Sequence, residues 1–76
     1  MPKLPVVTPK QLIRVLSRLG FFRDHSKGSH FIFYHPDGRR AVVPMHSRDI
    51  PKGTLLGILK DIDISKDEFI RLLHKS

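Results

Sequence analysis

Gly28-Ser29-His30 places an imidazole beside a glycine-bearing turn, at the head of the aromatic run Phe31-Ile32-Phe33-Tyr34. Imidazole ordinarily titrates near neutral pH, so a histidine held there can take or give a proton on a bound polyanion. Lys27 and the backbone N–H groups of the Gly28-Ser29 turn stand next to it as donors for developing negative charge. Ser29 can also bond a phosphate directly. The plainer alternative is a polar residue on a half-solvated strand.

The other four histidines bear on this choice. His46, in Val43-Pro44-Met45-His46, can assist as an acid, contact phosphate, or tie its loop by a hydrogen bond; the last role is the simplest. His74 falls in a terminal helix and reads as solvent-facing. His25, His30 and His35 are spaced by five residues, and on a strand that odd spacing sends His30 and His35 to opposite faces, which rules that pair out as a zinc site. Only three scattered acids (Asp24, Asp37, Asp49) lie in the first 60 residues, too few for a carboxylate cation site. There is no cysteine, which removes disulfides, thiolate metal sites and a thiol nucleophile together. No P-loop-type glycine pattern is present. Neither a metal nor a cofactor is called for.

The charge points the same way as the histidine. The 76-residue chain has a formal charge of +7. Residues 1–60 hold eleven Lys/Arg against three acids, a net of +8, while residues 61–76 hold three against four, a net of −1. A basic face attracts polyanions by Coulomb force and counterion release. An acidic partner protein fits as well. Arg39, Arg40, Arg48 and Lys52 are either solvated charges or phosphate contacts. The start, Met1-Pro2-Lys3-Leu4-Pro5, has no apolar leader core, and no stretch approaches the roughly 18 apolar residues of a membrane span. A soluble, intracellular protein is expected.

One small domain must position these residues. Residues 1–7, with two prolines, form an arm. Thr8 and Gln11 make a capping box with Pro9 at the first helical position; Leu12, Ile13, Leu16 and Leu19 follow at helical spacing, and Gly20 ends the helix. Residues 21–25 read as a strand, Ser26-Lys27-Gly28 as the turn out of it, 29–35 as a second strand, His35-Pro36-Asp37-Gly38 as the next turn and 39–44 as a third strand. A second helix covers 53–62 with Leu55, Leu59 and Ile62 as its stripe; Gly57 inside it suggests a close packing contact. Ser65 and Glu68 cap a last helix carrying Phe69, Ile70, Leu72 and Leu73. The order is α-β-β-β-α-α, an α+β domain with helices packed on one face of a three-stranded antiparallel sheet. Alternation sends Phe31 and Phe33 to the helices and His30, Ile32 and Tyr34 to the open face. A His, a Tyr able to stack a base and nearby cations fit a nucleic-acid platform, although a tolerated polar sheet face explains the same pattern.

The ordered set Gly20-Phe21, Lys27-Gly28-Ser29-His30, His35-Pro36-Asp37-Gly38-Arg39-Arg40, Val43-Pro44-Met45-His46, Pro51-Lys52-Gly53-Thr54-Leu55, Ile58-Leu59-Lys60 and Phe69 resembles the HicA (YcfA-like) toxin family over about residues 8–73. The resemblance implies a fold similar to double-stranded-RNA-binding domains. It implies the toxin of a type II toxin–antitoxin system, a cytoplasmic mRNA endonuclease of stress response that inhibits translation and is neutralised by a HicB-type antitoxin. The family's functional histidine maps onto His30. Lys27, Gly28, Ser29, Tyr34, Arg39, Arg40 and His46 become RNA-contact candidates. His25 stands where the family usually has a basic residue, and Asp61-Ile62-Asp63-Ile64 replaces its glycine-containing turn. RNA carries its own nucleophile, the 2′-OH, so a positioned base beside stabilised phosphate charge can cleave it without metal. The competing reading is a non-catalytic RNA-binding module on the same basic face.

Overall fold

The computed structural model describes residues 3–75. The first two residues of the expected arm lie outside that range. The elements are α1 (Pro9–Arg18), β1 (Phe22–Lys27), β2 (His30–Tyr34), β3 (Arg40–Pro44), α2 (Lys52–Asp61) and α3 (Lys66–Lys75). The strands form one antiparallel sheet in the order β1-β2-β3. The expected α+β, dsRBD-like architecture is what the chain adopts.

The start of α1 follows from four residues. Thr8 Oγ1 accepts from the Gln11 N–H at 3.2 Å, and the Thr8 N–H donates to Gln11 Oε1 at 2.8 Å. Such a cap stabilises a helix by about 1 kcal/mol. The end of α1 is a Schellman motif: the Phe21 N–H donates to the Leu16 carbonyl and the Gly20 N–H to the Ser17 carbonyl. Gly20 has φ 95°, and a Cβ there would lie 3.1 Å from His35 Nε2, so both backbone and space select glycine. The α2 end repeats the motif, with Ile64 donating to Leu59 and Asp63 to Lys60. Here Asp63, at φ 58°, fills the left-handed position that glycine would take without strain. At α3, Ser65 Oγ accepts from the Glu68 N–H at 3.1 Å, but the Glu68 carboxylate pairs with Arg71 rather than closing the expected box.

The first hairpin turns two residues later than the spacing implies. Lys27 pairs with His30, leaving Gly28-Ser29 as a two-residue turn. Gly28 supplies φ 59° at its first position, the requirement of a hairpin turn whose twist matches the strands. Ser26 and Lys27 therefore stay in the ladder, opposite Phe31 and His30.

The core is built where the helices meet β2 and β3. Leu12, Val15 and Leu16 of α1, Phe33, Ala41 and Val43 of the sheet, Leu55, Ile58 and Leu59 of α2, Ile62 after it, and Phe69 of α3 make one cluster. The arm joins it: Val7 is fully buried and its carbonyl accepts from the Ile50 N–H at 2.8 Å. No helix among the described residues covers β1, which is exposed along its whole length. Phe31, on the covered face, is shielded by the Arg23 guanidinium 5.0 Å from its ring centre. Gly57 makes no close packing contact: a Cβ there would meet nothing within 4 Å, because that side of α2 faces a groove and not the core.

Candidate functional site

Cross-strand partners share a face, so the register lays out the open side of the sheet as three rows. Lys27, His30 and Pro44 form the first, His25, Ile32 and Val42 the second, and Phe22, Tyr34 and Arg40 the third. A bulge at Asp24 is what sets β1. The register shifts between Arg23 and His25, so Phe22 and His25, three apart, both reach the open face. Without it, Phe22 and His25 would point to opposite faces. Phe22 is half exposed there, beside Tyr34. His25 Nδ1 bonds the Asp24 carboxylate at 2.7 Å.

His30 is exposed at the head of β2, and neither ring nitrogen has a protein partner among the described residues. The loop after β3 returns to it. The Met45 N–H donates to the Ser29 carbonyl at 2.7 Å, and Ser29 Oγ bonds His46 Nδ1 at 3.3 Å. These two bonds bring the His46 ring to 5.9 Å from that of His30, centre to centre, at an interplanar angle of 60°. The loop-tying role of His46 and its place beside His30 are one arrangement. Its Nε2 has no protein partner among the described residues.

Both histidines border an open groove of about 440 Å³ between the sheet and α2. Val42 and Pro44 form the sheet wall, and Thr54, Gly57, Ile58 and Asp61 form the helix wall. None of the α2 residues stood out as site residues in the sequence. Asp61, an acid at a helix C-terminus, where the dipole disfavours it, was the available clue.

The cations divide. Lys27 and Arg40 are exposed on the open face with no ion pair among the described residues. Arg39 is turned inward. Its Nε donates to Asp37 Oδ2 at 2.8 Å, its Nη1 donates to the Ile62 carbonyl at 2.6 Å, and its guanidinium lies 5.2 Å from the Phe21 ring centre. Arg39 thus clasps the β2–β3 turn to the end of α2. Hydrogen bonding from the Arg39 backbone N–H, with help from its guanidinium, holds the Asp37 carboxyl below the usual aspartate value. His35 also serves the fold: Nε2 donates to the Leu19 carbonyl at 2.9 Å, and its ring meets Phe21 edge-on. Among the described residues, no group of three His, Asp or Glu side chains converges, and no helix is long and apolar enough to cross a membrane.

The fold and the histidine-bearing face define a small, basic α+β domain of dsRBD-like architecture. The family model for the HicA toxin of bacterial toxin–antitoxin systems matches residues 9–64, more than half of the chain, and the protein belongs to that family. It is therefore a toxin with a cognate antitoxin. No curated protein matches the chain.

Proposed function

We propose that this toxin is a metal-independent mRNA endonuclease that blocks translation in the cytoplasm and is silenced by a HicB-type antitoxin covering the open sheet face. The observation that carries the reading is the His30–His46 pair, 5.9 Å apart at the mouth of a groove on a basic surface. Hydrogen bonds of about 2.8 Å from each ring meet across one phosphate group at that separation.

His30 takes the proton of the 2′-OH as that oxygen attacks phosphorus. His46, oriented by Ser29, returns a proton to the departing 5′-oxygen. The P–O5′ bond breaks as the P–O2′ bond forms, giving a 2′,3′-cyclic phosphate and a 5′-hydroxyl. Water then resets the two protons. Lys27, opposite His30 in the ladder, and the N–H groups of the Gly28-Ser29 turn offset the charge that builds on phosphate. Arg40 extends the phosphate track, and Tyr34 with Phe22 offers aromatic faces to unpaired bases.

The test is cleavage of a defined mRNA by purified wild type, His30→Ala and His46→Ala in the presence of EDTA. Wild type should cut and leave a cyclic phosphate. His30→Ala should lose about 10²–10⁴-fold in rate and keep salt-sensitive RNA binding. Equal cleavage by wild type and His30→Ala overturns the assignment, and binding without cleavage by wild type makes the protein a passive module.

A further inference from the structure

Thr54, Gly57, Ile58 and Asp61 border the groove on its α2 side. Their spacing is i, i+3, i+4, i+7, one straight stripe that runs about 10 Å at 1.5 Å per residue. The stripe carries the groove from the histidine pair to the last residue of α2. Along it the opposing wall is apolar, from Pro44 to Val42. The missing side chain of Gly57 keeps the middle open, with no atom within 4 Å of where its Cβ would be.

Asp61 sits at the far end. It is exposed, and its carboxylate has no protein partner among the described residues. Arg40 borders the adjoining depression with Asp61, yet the two form no ion pair. A carboxylate at a helix C-terminus opposes the dipole, and here no partner compensates it. It cannot be a phosphate contact, since like charges repel. What a carboxylate can recognise is a pair of adjacent donors.

Resting on the endonuclease reading above, we propose that this groove is a nucleobase subsite and that Asp61 selects guanine next to the scissile phosphate. Guanine presents N1–H and the N2 amino group side by side, and a carboxylate accepts from both. Adenine and cytosine set one amino donor beside an acceptor nitrogen, and uracil sets one N–H between two carbonyls; each turns a lone pair toward Asp61. The walls Val42, Pro44 and Ile58 take the faces of the base.

The experiment uses oligonucleotides with one ribonucleotide linkage in a deoxy background, so that a single site can be cut. The neighbouring base is guanine, inosine (which lacks the N2 amine) or adenine. Wild type should prefer guanine over adenine by on the order of tenfold or more, with inosine between. Asp61→Asn should erase that ranking. Gly57→Leu should fill the groove and lower cleavage whatever the base, while its melting temperature holds or rises. A second arm needs no turnover: guanosine 3′-monophosphate should shift the Thr54, Gly57 and Asp61 amide resonances more than the inosine or adenosine nucleotide does. If wild type cuts no oligonucleotide yet shows those guanine-selective shifts, the endonuclease reading fails and the subsite stands. Equal cutting of all three bases, a guanine preference that survives Asp61→Asn, or absent nucleotide shifts overturns the subsite.

Discussion

Phe33 and His30 leave the same five-residue strand in opposite directions. The covered face holds Phe33, Ala41 and Val43 inside one cluster with all three helices. The open face holds His30, Tyr34, Lys27 and Arg40 against solvent. Ile32 marks how far this division goes, because it is buried on the open side without joining the core cluster. The contrast teaches that one pleat separates the residues that hold the domain together from those free to act on a ligand.

The sharpest way to break the contrast is a matched pair of alanine substitutions. Phe33→Ala should cost about 3–5 kcal/mol, a large share of the 5–15 kcal/mol that typically holds a domain, read by urea denaturation. His30→Ala should shift the same curve by no more than about 0.5 kcal/mol, while its cleavage rate collapses as stated above. Comparable denaturation midpoints for the two variants would erase the distinction between the faces.

Smaller effects sharpen the contrast by testing the joints that hold the sheet under its helices. Gly20→Ala meets both an unfavourable φ and His35 Nε2 at 3.1 Å, and should lose about 1–2 kcal/mol by thermal melting. Asp63→Gly occupies the matching position at the end of α2 and relieves strain there. It should gain about 0.5–1 kcal/mol without altering cleavage.

The smallest effect is that of Asp37. Its folded-state pKa lies below the ordinary value of 3.8, so its contribution to the turn is complete above that pH and is lost as pH falls through the lowered value. An NMR titration of the Asp37 carboxyl should show a midpoint below 3.8, and Arg39→Ala, which removes the guanidinium but keeps the backbone N–H, should raise it only part of the way back.

Much of the fold was legible because its determinants are local. Thr8 and Gln11 start α1 through bonds spanning three residues. Alternation along 30–34 decides which face His30 occupies, and Gly20 ends α1 within its own turn. The chain's glycines and prolines also marked both hairpins, although Gly28-Ser29 displaced the first turn from Ser26-Lys27-Gly28. Locally, nothing in Phe22 to Lys27 announces the bulge, so the open-face position of Phe22 was hidden.

Sequence by itself determined the α-β-β-β-α-α order and the basic charge, because periodicity, caps and composition act within a few residues of one another, and its ordered motifs carried the family resemblance that singles out His30. Tertiary structure alone decided that His46 stands beside His30, through a contact spanning 17 residues. It also decided that Arg39 spends its guanidinium on a carbonyl 23 residues away. Only packing could bring Thr54, Gly57 and Asp61 along the same groove as the two histidines. The physical reason is that such pairings depend on how α2 settles against β3, which is fixed by the shared core of Val43, Leu55 and Leu59 rather than by any neighbouring residue.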